Sequence, residues 1–301
     1  MVSQHDQQPF HILLAYDGSQ HASAAAGMLC NLLLPAGSTI TVLGVLPPRE
    51  AFSRTMMAAA VQHIQTLLQR KHISVSTELL SGHPAEQVIE YAGQHHPDLI
   101  ALGAVGLRQT MGILLGGVAQ QVVEYARWPV LVVRDPFIEV RRALLATDGS
   151  SYSLCALEYL AGTSLRPRFP LPAGIDLRVI HVLPPADSPH LFLQALHVGP
   201  EIVLPVEEIA DRLAEEEYQG QAFLSQTLET LKSSGVDASG VLLRGDAAGE
   251  ILQYVQKEQV DLIVAGSRGL SQVKGWLMGS VSRKLVHYAG CSVLIVKDDL
   301  N

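Results

Sequence analysis

Short apolar runs recur along the chain, separated by longer segments whose apolar residues return every three or four positions. Runs this short, bounded by Gly, Pro, Asp and Ser, read as strands, and the segments between them as amphipathic helices. Strands are predicted near Ile12–Tyr16, Ile40–Leu46, Ser74–Leu80, Leu99–Leu102 and Val130–Val133. A second set falls near Leu144–Thr147, Leu177–Val182, Ala238–Leu243, Leu262–Ala265 and Val293–Val296. Between Val206 and Leu231 acidic and apolar positions alternate with a period suited to one long helix. Strands that are apolar on both sides and alternate with helices predict an α/β fold, a parallel sheet covered on both faces.

The two sets are copies of one pattern. HILLAYDGS at His11–Ser19 matches ALLATDGS at Ala143–Ser150, and ITVLGVLPP at Ile40–Pro48 matches LRVIHVLPP at Leu177–Pro185. LLSGHPAEQVIEYA at Leu79–Ala92 matches LLRGDAAGEILQYV at Leu242–Val255. PDLIALGAVG then matches VDLIVAGSRG, and WPVLVVRD matches CSVLIVKD. Correspondences in one order mean a tandem repeat, with domains over residues 1–138 and 139–301. Asp17 to Gly82 spans 65 positions, whereas Asp148 to Gly245 spans 97. A few of the extra residues lie in the Pro-rich Arg166–Gly174; most form an insertion over about 184–217.

The strongest chemical signal follows the fourth strand of each copy. In the second, Gly266-x2-Gly269-x9-Gly279-Ser280 leads from strand to helix, and Ser280–Val286 reads as the first helical turns. Orphan N–H groups, the positive end of the helix dipole and the hydroxyls of Ser280 and Ser282 would meet there, which is the chemistry of a phosphate site. Taken alone, the stretch also fits a connection whose glycines serve only the turn. The first copy repeats the spacing with Gly103, Gly106 and Gly116. The chain contains neither a Gly-Lys dipeptide nor glycines two apart, so the Walker A and GxGxxG loops are absent.

Gly-x2-Gly-x9-Gly-Ser after an apolar strand resembles the ATP-binding motif of the universal stress protein family. The resemblance covers nearly the whole chain apart from the insertion and both ends. It implies two tandem Rossmann-like domains, each a five-stranded parallel sheet in the order 3-2-1-4-5, with the crevice beyond the first and fourth strands. It also implies an ATP site in the second copy. Asp148, with Thr147 beside it, contacts the nucleoside; Val182 offers its backbone to adenine; Gly266, Arg268 and Gly269 line the loop; Gly279, Ser280, Val281 and Ser282 hold the phosphates. An N-cap role for Asp148 is the competing reading. The equivalent first site comprises Asp17, Val45, Gly103, Gly106, Gly116, Gly117 and Val118 and departs from the motif. Gly117 stands for Ser280, Ala119 for Ser282 and Val105 for Arg268. Each lost hydrogen bond to a charged group costs about 1.5–3 kcal/mol, so this site is expected to be the weaker. Family members also dimerise through the fifth strand, so the two copies are expected to form an internal pseudo-dimer, with a homodimer left open.

Composition narrows the alternatives. Of 301 residues 48% are hydrophobic and 17% charged, and the net charge is −8 with both halves acidic, which disfavours nucleic acid or an anionic membrane as partner. No apolar stretch is long enough to cross a bilayer, and the first residues do not resemble a signal peptide, so a cytoplasmic protein with reduced thiols is expected. Cys155 and Cys291 read as small buried residues, and His181 as a packed residue rather than a base. His95-His96-Pro97-Asp98 reads as a solvated connection rather than a metal site, and Glu215-Glu216-Glu217 as a solvated helix face. No catalytic base or metal cluster stands out. The expectation is therefore a nucleotide-dependent regulator in stress adaptation, not an enzyme, with ATP as ligand and Mg²⁺ as a candidate companion. A nucleotide-independent interaction module and a slow ATPase are the alternatives.

Overall fold

The computed structural model describes residues 9–47, 54–69, 73–106, 115–137, 139–162, 168–186, 206–270 and 278–298. The first copy runs β1 (His11–Ala15), α1 (Gln20–Asn31), β2 (Thr39–Leu46), α2 (Arg54–Gln69), β3 (Ser74–Ser81), α3 (Pro84–His95), β4 (Leu99–Gly103), α4 (Gly117–Tyr125) and β5 (Val130–Val133). The second runs β6 (Arg142–Ala146), α5 (Ser151–Ala161), β7 (Asp176–Leu183), α6 (Val206–Ser233), β8 (Ser239–Arg244), α7 (Ala247–Glu258), β9 (Leu262–Gly266), α8 (Ser280–Tyr288) and β10 (Ser292–Val296).

All ten strands join one sheet in the order β3-β2-β1-β4-β5-β10-β9-β6-β7-β8. Within each copy every pairing is parallel, and in both the order reverses between the first and fourth strands. Residues alternate between two cores because successive side chains leave opposite faces. Leu14 and Leu145 point into a layer beneath α1, α2, α5 and α6, while Leu13 and Leu144 point into one beneath α3, α4, α7 and α8. Both layers run across the two copies without a break.

The junction is antiparallel. Val293, Leu294 and Ile295 of β10 lie opposite Val132, Leu131 and Val130 of β5, so each fifth strand covers the other's exposed edge. A reciprocal pair of cations reinforces it. Arg134, just past β5, donates to the carbonyls of Val286 (2.7 Å) and His287 (3.3 Å) in the last turn of α8. Lys297, just past β10, donates to the Val123 carbonyl in the last turn of α4 at 2.5 Å. A helix leaves its last carbonyls without intrahelical donors and its C-terminus carries partial negative charge, so cations suit both places. Since β5 and β10 occupy each other's edges, a homodimer would have to use another surface.

The long helix expected over Val206–Leu231 is α6, whose first turns make up residues 206–217 of the insertion and which has 28 residues against 16 in α2. Residues 187–205 lie outside the described part. Glu216 is not simply solvated, because Arg244 donates to it at 2.7 Å and also to the Pro184 carbonyl at 3.0 Å. That contact ties the start of the insertion to the body of α6.

Candidate functional site

Two cavities open where the strand order reverses, one per copy, beyond the carboxyl ends of β1 and β4 and of β6 and β9, as expected for an open parallel sheet. The second measures about 270 Å³ and is lined by all ten residues the sequence assigned to it, from Thr147 to Ser282. The first measures about 240 Å³ and gathers Asp17, Val45, Gly103, Gly106, Gly116, Gly117 and Val118. Each has an apolar end that motif reading missed. Ile180, Ala247 and Ile251 stand beside Val182, and Leu43, Pro84 and Val88 beside Val45. These residues come from the second strand and third helix of each copy. The only sequence signal was that the helix follows a Gly at a matched position.

Asp148 is a clamp between two loops, not an N-cap. Ser150 caps α5, its hydroxyl accepting from the Ser153 N–H at 3.3 Å. Asp148 Oδ1 accepts from the Ser150 N–H (3.0 Å) and hydroxyl (2.6 Å), and Oδ2 from the Leu270 N–H at 3.0 Å. The carboxylate therefore clamps the tip of β6 to the loop after β9. A carboxylate has about four lone-pair sites, so what remains for a ligand hydroxyl is mainly on Oδ2. In the first copy Asp17 accepts from the Ser19 N–H at 2.9 Å, and Ser19 caps α1.

The motif glycines that line the cavity are also held by close protein neighbours. A Cβ on Gly266 would lie 2.4 Å from the Tyr152 carbonyl oxygen in the first turn of α5. On Gly269 it would lie 2.5 Å from Asp148 Oδ2, and on Gly279 3.1 Å from the Arg268 Cα. Gly103 and Gly106 meet the same obstacles, at 2.6 Å from the Ala22 nitrogen and 2.6 Å from Asp17 Oδ2. The spacing is thus a packing code that draws strand, helix and Asp onto one loop.

The phosphate end is also narrower than the sequence suggested. The Gly279 N–H donates to the Ser267 carbonyl at 2.8 Å, and the Ser282 hydroxyl to the Gly266 carbonyl at 2.7 Å. A hydroxyl has one proton, so Ser282 cannot also donate it to a phosphate. Ser282 is a buried strut between α8 and β9. What faces the cavity is the N–H set of Ser280, Val281 and Ser282, which have no intrahelical acceptors, and the Ser280 hydroxyl. Gly279 caps α8 without a side chain, leaving those donors uncapped by it. Arg268 flanks them, its guanidinium 5.6 Å over the Tyr152 ring and donating to the Tyr152 hydroxyl at 3.3 Å. Tyr152 was not singled out from the sequence, since nothing local marks it as Arg268's support.

The remaining candidates make contacts within the protein. His181 Nδ1 lies 2.9 Å from the Thr147 carbonyl and must donate to it, while its ring leans on Phe223 at 5.0 Å. The Thr147 hydroxyl donates to Ser153 Oγ at 3.1 Å. His95 stacks on Tyr91 at 3.9 Å; His96 closes α3 in the left-handed conformation; Asp98 accepts from the His11 N–H at 2.7 Å. Among the described residues no group of three or more His, Cys, Asp or Glu could hold a metal. The three cysteines form no disulfide, and burial pushes the Cys291 thiol up to about 12, which suits a packed residue. Among the described residues no helix is long and apolar enough to cross a membrane.

A doubly wound α/β sheet with a cavity at each strand reversal has its cavities where open α/β sheets bind their ligands. The model of the universal stress protein family matches residues 10–134 and 139–297, and the chain belongs to that family. It is 31% identical over 167 residues to the universal stress protein YxiE of Bacillus subtilis, covering 52% of this chain and 98% of that one. A universal stress protein of Mycolicibacterium smegmatis is 26% identical over 311 residues, covering 96% and 97%. A crystal structure of a universal stress protein from Archaeoglobus fulgidus covers 95% of this chain and 98% of its own with a TM-score of 0.65 at 19% identity, a likeness of fold.

Proposed function

We propose that this universal stress protein binds ATP in its second domain and acts as a nucleotide-dependent regulator, by binding rather than by catalysis. The observation that carries the reading is the polarity of the second cavity. An apolar slot of Ile180, Val182 and Ile251 fits a planar base; Asp148 sits where a ribose hydroxyl would reach; the α8 N-terminus, Ser280 and Arg268 fit a chain of phosphates. Charge supports the same direction. Arg268 adds a full positive charge to the roughly half charge of a helix N-terminus.

Regulation is favoured over turnover because Asp148, the one carboxylate among the described lining residues, already accepts hydrogen bonds on both oxygens. A general base must instead be placed against the proton it removes. Mg²⁺ would find Asp148 Oδ2 and the Ser280 hydroxyl as oxygen donors, so the ion would be held mostly by the phosphates, as is usual for Mg²⁺. The experiment is nucleotide release from purified protein combined with titration of wild type and Arg268→Ala/Ser280→Ala. Tight ATP binding lost in the double variant supports the proposal. Binding unchanged by it, or phosphate released at an enzyme-like rate, counts against it.

A further inference from the structure

The turn that presents Asp148 to the second cavity is held from behind by α6. Asp148 Oδ1 accepts from the N–H and the hydroxyl of Ser150, which closes Asp148-Gly149-Ser150 into one tight turn. Gly149 stands in its middle in the left-handed region, at φ +80°, and turns no side chain outward. A Cβ there would lie 3.5 Å from the Phe223 ring, so the aromatic of α6 covers the bare backbone of the turn. The same ring leans on His181 at 5.0 Å, and His181 donates from Nδ1 to the Thr147 carbonyl at 2.9 Å. Thr147 and Asp148, the cavity residues just past β6, are thus backed by one side chain of α6 and one of β7.

The first copy is built differently at this place. Gly44 stands where β7 has His181, and Ala60 of α2 where α6 has Phe223, its methyl 3.9 Å from a Cβ built on Gly18. Met57 fills the space over Gly44, whereas its counterpart Gly220 lets α6 close on His181, Leu183 and Leu242. Both arrangements fill the gap between helix and sheet, but the second sets a ring and a hydrogen-bonded imidazole against the strand tip. The helix also runs on past that tip. Gly240 lies against Leu228 and Leu224, Leu242 against Gly220, and Arg244 donates to Glu216 and to the Leu213 carbonyl. Followed back toward Val206, α6 therefore climbs past Leu183, the last residue of β7, at the end of the sheet where the second cavity opens. Residues 206–219 make about 20 Å of helix, with Tyr218 exposed on it.

We infer that α6 reads the second cavity: Phe223 is a positioning residue for Thr147 and Asp148, and occupancy of the cavity passes through it to the projecting half of the helix. This deepens the ATP reading and rests on it. A nucleotide hydroxyl on Asp148 fixes the Asp148-Gly149-Ser150 turn, the turn fixes the Phe223 ring, and the ring fixes the helical turns on either side of it. Coupling between two sites is reciprocal, so a side chain that carries the signal outward also adds to ATP affinity. The surface whose state follows the nucleotide is then residues 209–219, outside the cavity itself.

The test reads the coupling in both directions on the full chain. ATP is titrated into wild type, Phe223→Ala, Phe223→Met and Leu228→Ala, and amide hydrogen exchange over 209–219 is followed with and without saturating ATP. ATP should slow that exchange in wild type. Phe223→Ala should weaken ATP by about fivefold or more and abolish the slowing. Phe223→Met, whose long flexible chain still reaches the Gly149 turn, should keep affinity within about twofold of wild type and keep the slowing. Leu228→Ala removes another half-buried side chain of the same helix, one that lies against Gly240 and away from the cavity. It should lower the melting temperature and leave ATP affinity unchanged. Three results would overturn the inference and leave the ATP reading standing: full ATP affinity in Phe223→Ala, exchange over 209–219 that ATP does not alter in wild type, or an equal loss of affinity in Leu228→Ala. A loss in Phe223→Met as large as in Phe223→Ala would do the same. A folded wild type that binds no ATP would remove both readings.

Discussion

Replacing Lys297 with methionine should turn a pH-dependent junction into a pH-independent one. The lysine is buried to 6% exposure, with its ammonium on the Val123 carbonyl of the other copy. Burial, with the Arg268 guanidinium nearby, lowers its pKa from 10.5 to about 8. Below about pH 8 both folded and unfolded chains carry the proton, and the folded chain bears the full penalty of the buried charge. Between about 8 and 10.5 the unfolded chain still binds a proton that the folded one has released, so stability rises with pH across that window. A pKa lowered by one corresponds to about 1.4 kcal/mol, which makes the gain about 3 kcal/mol at most.

Methionine fills similar volume without titrating. At pH 7 it trades relief of the buried charge against a lost hydrogen bond to Val123, so the two proteins should differ there by about 1–2 kcal/mol at most. Denaturant unfolding at several pH values from about 7 to 10.5 gives both curves, and other titrating groups cancel in their difference. The stability of Lys297→Met relative to wild type should fall by up to about 3 kcal/mol over the range. A difference that stays flat would show that Lys297 keeps an ordinary pKa and would refute the reasoning.

Other substitutions separate packing from ligand roles. Gly266→Ala drives a methyl against the Tyr152 carbonyl and should cost about 3 kcal/mol or prevent folding, read by thermal unfolding without nucleotide. Gly117→Ser meets open space at the first helical position and should raise stability by about 0.5 kcal/mol. Ser282→Ala removes the 2.7 Å bond to Gly266 and should lower stability by about 1 kcal/mol, whereas Ser280→Ala should lower ATP affinity with little change in melting. Arg134→Met should destabilise the junction by about 1.5–3 kcal/mol, measured as loss of cooperativity or midpoint in urea.

The fold was legible because its signals are local and repeated. Each strand is a short apolar run ended by a turn residue, and two copies checked one another at Asp17 and Asp148, Gly82 and Gly245, Gly106 and Gly269. The strand ends shift by a residue or so, as with β1 at His11–Ala15 against Ile12–Tyr16, since hydrogen-bond register and apolar pattern end at different points. The candidate site was legible by position but less so by role. The Ser282 hydroxyl and the Gly279 N–H look like phosphate ligands in sequence, yet they are committed to the carbonyls of Gly266 and Ser267, an outcome of how α8 meets β9. Arg134 and Lys297 gave no sign of their purpose, because their partners lie on helices of the opposite copy and exist only once β5 and β10 pair.

The central claim is that the complete motif, supported by Arg268 and Ser280, makes the second cavity the ATP site. Isothermal titration of ATP into nucleotide-free wild type and into Arg268→Ala/Ser280→Ala tests it most directly. One tight equivalent in wild type, weakened at least about tenfold in the variant, is the predicted result. Two equal equivalents in wild type, or a variant that binds ATP as tightly, would contradict it.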